Sequence, residues 1–153
     1  MTTTVHFSTI AQSIADIDFS DLGVSVVDIE HIAENTAFTL PLLAPRPDNF
    51  LTDIIFTRES FGVSGNEKMT LEYNMHWQYF HAPAGSGLGL FSVYGSMIDN
   101  LAGIIEKIMD NDAPSGAIDM QIKEINNIAI FKDPAGNDVL GVDLTLNIKE
   151  FVN

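Results

Sequence analysis

A chain of 153 residues with 7 basic and 21 acidic side chains has the length of one domain, and its formal charge of −14 repels phosphate backbones, which excludes tight nucleic-acid binding. With 46% apolar and only 18% charged residues and a mean hydropathy of +0.15, it carries enough apolar surface to fold, which excludes a largely disordered chain. The absence of cysteine removes disulfides, thiolate metal sites and cysteine nucleophiles, and neither a secretory leader nor an apolar run of about 18 residues is present, so a soluble chain is expected.

The acidity is uneven. The first 45 residues hold six acids (Asp16, Asp18, Asp21, Asp28, Glu30 and Glu34) and no Lys or Arg. Such a segment keeps a protein dispersed, and it also makes a surface that repels DNA.

In chain order, Phe7, Ile10, Ala11, Ile14 and Ile17 recur at helical spacing and predict a short amphipathic helix, with Ser8 as N-cap and an end near Asp18, where acids oppose the helix dipole. Val24, Val26, Val27 and Ile29 predict a first strand after Gly23. The segment Leu40 to Pro47 carries three prolines, which remove backbone donors and favour extended conformations, so an extended arm is expected at about 38–50. Its leucines, Leu40, Leu42 and Leu43, need cover from the core or from a neighbouring subunit.

Thr52 to Arg58 predicts a second strand, and Gly62 to Asn66 a turn. Met69, Leu71, Tyr73, Met75, Trp77 and Tyr79 then alternate with largely polar residues, predicting a long strand with one apolar face. Ala82 to Gly89 has the composition of a loop. From Phe91 to Met109 the stripe Tyr94, Met97, Ile98, Leu101, Ile104, Ile105 and Ile108 predicts the longest helix. Ile118 to Ile122 and Asn127 to Phe131 predict further strand, Asp133 to Asn137 a turn, and Val142 to Ile148 a closing strand. The expected fold is α+β: a mostly antiparallel sheet packed against one long helix and a short N-terminal helix, in a single domain over residues 1–153.

Catalytic patterns are missing. The four histidines, His6, His31, His76 and His81, have no Gly-x-Ser-x-Gly elbow to serve. Gly85, Gly87 and Gly89 are spaced for neither a dinucleotide fingerprint nor a Walker loop. Glu72 and His76 share a strand face but lack a second histidine, and Asp110 and Asp112 begin a calcium-loop pattern that lacks its glycine and its Glu. Tyr73, Trp77 and Tyr79 share their face with Met69, Leu71 and Met75, which predicts core and not a stacking platform. No enzyme activity, cofactor or metal is expected; a small-molecule or peptide-binding domain is the competing class, and a hydrolase requires carboxylates that converge in space.

The order of these elements, with the long strand at Lys68 to Pro83 and a closing strand ending DLTLNIKEFVN, resembles the tail completion or tail terminator proteins of long-tailed bacteriophages. The resemblance rests on layout and length and carries no signature motif. It implies a ring, usually a hexamer, that caps the tail tube and meets the head's connector complex, located in the tail or neck of the virion and assembled in the host cytoplasm. Its expected partners are copies of itself, the tail-tube protein and neck or connector proteins, with DNA passing through the lumen unbound and no membrane involved. On that footing Leu40, Leu42, Leu43 and Arg46 are expected at subunit contacts. Ser64, Asn66, Ser86 and Leu88, in the two glycine loops, are expected to face the axial partners.

Overall fold

The computed structural model describes residues 5–28, 40–59, 68–83, 90–111, 117–132, 136 and 138–152. Helix α1 spans Phe7–Ala15 and a 3₁₀ turn follows at Ser20–Leu22. Strands β1 (Ser25–Val26), β2 (Leu42–Pro45), β3 (Leu51–Glu59) and β4 (Lys68–Pro83) precede helix α2 (Leu90–Asp110), and β5 (Ala117–Lys132) and β6 (Asp138–Phe151) close the order. Among the described residues six strands join one sheet, in the order β1-β2-β4-β6-β5 with β3 beside β2 on the same flank of β4.

The expected α+β arrangement is corrected. Strand accounts for 54% of the described residues, the sheet is mixed because β1 runs parallel to β2, and only two α-helices occur among the described residues, so the fold is not a sheet packed on one long helix. Two local causes account for the extra strand. The separate apolar runs before and after Asn126 merge into the single 16-residue β5, whose alternation is broken by register shifts at Ala117/Asp119, Ile122/Glu124 and Asn126/Ala129. The proline arm is no connector: Leu42–Pro45 enters the sheet antiparallel to β4, and Pro45 occupies the last position of the strand, where a missing N–H is tolerated.

The alternation along β4 divides the sheet's two faces. Tyr73, Met75, Trp77 and Tyr79 point to one side with Leu144, Leu146 and Ile148 of β6, and all seven are fully buried. Ile10, Ala11 and Ile14 of α1 and Met97, Leu101, Ile104 and Ile108 of α2 belong to the same core, each set at helical spacing. A smaller cluster of Val27, Leu42, Ala44, Phe80 and Val139 covers one end of the opposite face.

Helix α1 begins two residues earlier than an N-cap at Ser8 would dictate. His6 is the N-cap and makes no side-chain capping bond; its backbone N–H and its Nδ1 instead each lie 2.9 Å from Oε1 of Glu150, a carboxylate buried on the core side of β6. Phe7 meets Tyr73 edge-on at 4.7 Å beside this contact. At the other side of the core, Lys107 of α2 pairs with Asp21 of the 3₁₀ turn at 3.0 Å.

Candidate functional site

Of the residues expected at subunit contacts, Leu42 and Leu43 lie in the chain's own interior, and Leu40 and Arg46 are half-buried. Leu43 is in the main core and Leu42 in the smaller cluster, both fully buried, and Leu40 packs partly against the latter. Entry of β2 into the sheet gives these leucines cover from within, so the expectation that Leu42 and Leu43 reach a neighbour is withdrawn. Arg46 spends its guanidinium on its own turn, donating to the carbonyls of Asp48 (2.7 Å) and Asn49 (3.0 Å). Ser64, Asn66, Ser86 and Leu88 lie outside the described residues.

The face of β4 opposite the core is polar and closes on itself. His76 sits between two hydroxyls, Thr52 Oγ1 at 2.6 Å from Nε2 and Thr145 Oγ1 at 3.1 Å from Nδ1. Asn147 Nδ2 donates to Glu72 and Asn74, both at 3.2 Å, and Asn74 Nδ2 donates to Asp53 at 2.8 Å. Asp53 stands at the β3 bulge with φ of 51°, a left-handed conformation that Asp tolerates better than most residues. Burial, followed by the nearby Arg46 charge, lowers the His76 pKa and favours its neutral ring. Glu72 and His76 are thus each engaged by protein partners, and among the described residues no three His, Asp or Glu groups gather in a way that could hold a metal ion.

A second constellation escapes sequence reading because its members come from β4 and α2. Tyr79 hydroxyl lies 2.6 Å from His81 Nδ1, His81 Nε2 lies 2.9 Å from Ser96 Oγ, and Asn100 Nδ2 donates to the Tyr79 oxygen at 3.1 Å. The outline is that of a serine–histidine relay, but donor accounting runs the wrong way for one. Burial pushes the Tyr79 pKa up to about 12, so it keeps its proton. With Asn100 occupying its oxygen, it donates to Nδ1; Nε2 then carries the imidazole hydrogen and donates to Ser96. His81 is therefore not poised to take a proton from Ser96, and the group ties α2 to β4.

The distinctive surface is the rim of the sheet. Strand β3 pairs only with β4 and β5 only with β6, so among the described residues both have an unpaired outer edge, on opposite flanks. Asp53 to Arg58 are six consecutive exposed residues, so neither face of β3 is covered there. Within them Ile54, Ile55 and Phe56 are 52%, 57% and 50% exposed. On β5 the matching residues are Ile125 (38%), Ile128 (37%) and Ile130 (65%). Both strands carry bulges and charged residues, the usual devices that blunt an edge, and between them each still exposes apolar side chains of the kind that contact surfaces use.

Among the described residues no helix is long and apolar enough to cross a membrane. The chain matches no protein-family model and no curated protein.

Proposed function

We propose that this chain is a structural virion protein: a ring-forming subunit at the head-proximal end of a bacteriophage tail, which ends growth of the tail tube and supports joining to the head. The observation that carries the reading is the exposed apolar residues of β3 and β5, whose outer edges have no partner strand among the described residues and lie on opposite flanks of one sheet, because a subunit with different contact surfaces on two sides can repeat around an axis. Two further features support it. The element order, from α1 through the long β4 and α2 to the closing β5–β6 pair, is the feature on which the resemblance to tail completion and tail terminator proteins rests. The charge of −14 suits a conduit through which DNA passes without adhering.

The partners are copies of the chain itself, most simply six, together with the tail-tube protein on one axial face and neck proteins on the other. The chain's work is shape and contact, with no bond made or broken. The test is to produce particles lacking the chain and image them. A tail terminator leaves overlong tails; loss of tails altogether assigns the chain to the tube, and normal tails beside unjoined, DNA-filled heads assign it to head closure. Particles of ordinary form and infectivity would overturn the proposal.

A further inference from the structure

We infer that His81 is an acid-sensitive latch: protonating its ring breaks the hydrogen bond it accepts from Tyr79 and frees the first half of α2 from β4, while the rest of the fold stays in place. The inference is independent of the assembly reading.

Its first support is the direction of the hydrogen bonds. Asn100 Nδ2 donates to the Tyr79 oxygen at 3.1 Å, the Tyr79 hydroxyl donates to His81 Nδ1 at 2.6 Å, and His81 Nε2 donates to Ser96 Oγ at 2.9 Å. This order needs a free lone pair on Nδ1. A charged ring carries hydrogen on both nitrogens, so two donors then face each other between His81 and Tyr79, with Asn100 a third donor at the phenol oxygen. His76 meets no such conflict. It lies between the hydroxyls of Thr52 and Thr145, each able to accept, and a charged ring there keeps both bonds.

The second support is what else holds the helix. Beyond Gly103, α2 buries Ile104 and Ile108 and pairs Lys107 with Asp21 at 3.0 Å. Gly103 itself sits so close to Leu22 that a Cβ would lie 2.8 Å from its Cδ2. From residue 95 to residue 101 the buried residues are Met97 and Leu101, and Ser96 and Asn100 add the bonds to His81 and Tyr79. Glycine is a poor helix former, so Gly103 divides the two halves where the helix is intrinsically weakest. Loss of the hydrogen-bond chain falls on the first half alone.

The third support is that no charge near His81 offsets one on its ring. Burial lowers its pKa, with no contribution from a charged group among the described residues. Tyr79, the titratable group in contact with it, keeps its proton. Asp99 of α2 is exposed, and Lys132 and Asp138, at the ends of β5 and β6, pair with each other at 3.1 Å. Asp143 of β6 accepts from Gln78 at 3.0 Å on the opposite face of the sheet, and Leu42–Pro45 of β2 carries no charge. The latch is therefore closed above the ordinary imidazole value of 6.5 and opens as pH falls below it.

Hydrogen exchange followed by mass spectrometry at pH 7.5 and 5.5, corrected for the intrinsic pH dependence of exchange, tests the latch. On acidification, exchange of amides 95–101 should rise about tenfold, the weight of one buried hydrogen bond, and exceed that of β4, β6 and residues 104–108, which open with the whole molecule. His81→Gln, which donates to Ser96 and takes no charge, should abolish the rise. Asn100→Asp should abolish it by the converse route, because its carboxylate accepts the Tyr79 hydrogen and leaves the phenol oxygen to accept from a charged His81. Three outcomes would each overturn the latch: no rise in the parent protein, exchange of 95–101 level with that of β4 and β6, or the same rise in either variant. A further measurement needs no variant. Nitrogen-15 shifts of the His81 ring at pH 7.5 should place the hydrogen on Nε2, and a hydrogen on Nδ1 would also overturn the inference.

Discussion

At the scale of single residues, the tightest constraint is Gly141. A Cβ there would lie 2.7 Å from the backbone oxygen of Tyr79 and 3.0 Å from the Phe80 ring, and the backbone of a central strand has no room to yield. Gly141→Ala should therefore lower stability by about 1–3 kcal/mol in urea unfolding, the range typical of overpacking. The two strand histidines set a pH dependence. Burial holds His76 and His81 below the ordinary value of 6.5, so the unfolded chain takes up protons first as pH falls. Their contribution is complete above about pH 6.5 and is lost as pH drops toward the folded-state values. Urea midpoints measured at pH 7.5 and 5.5 should fall on acidification, and the drop should shrink when both histidines are replaced by Gln. A flat profile in the parent protein would contradict the donor arrangement around Tyr79, since a protonated Nδ1 cannot accept its hydrogen bond.

At the scale of elements, legibility followed regularity. The strand β4 and the helix α2 were readable because their apolar residues keep a period of two and of about three and a half over many residues, long enough for the pattern to exceed chance. In the sequence β5 reads as two pieces because its bulges reset the alternation, and β2 reads as an arm because prolines signal a break wherever a neighbouring strand does not rescue them. The candidate surface was the least legible part. Ile54, Ile55 and Phe56 form an apolar run that reads locally as a buried strand, and only the strand order places it on the rim. The same contrast yields a paired prediction. Leu43→Ala removes a fully buried side chain and should cost about 2–5 kcal/mol, while Ile55→Ala on the rim should stay within about 0.5 kcal/mol of the parent protein. Equal effects at the two sites would show that β3 is covered within the monomer.

For the whole molecule, charge and apolar rim oppose one another. Copies at −14 repel, and that repulsion is screened over about 10 Å at 0.1 M salt but only about 3 Å at 1 M, while the apolar contact persists. Association followed by sedimentation should strengthen as salt is raised from about 0.05 to 0.5 M; weakening would point to an interface held by ion pairs in place of the isoleucines. A different consequence follows from β6. It lies between β4 and β5, and its Glu150 holds His6, 144 residues away in sequence. During synthesis, then, β4, whose Tyr73 meets Phe7, and α2, whose apolar stripe shares the core, are both made before β6. The Glu150 contact and the layer of Leu144, Leu146 and Ile148 come after them, and until β6 has left the ribosome the core stays open on that side, an interval in which chaperones and proteases compete for the nascent protein.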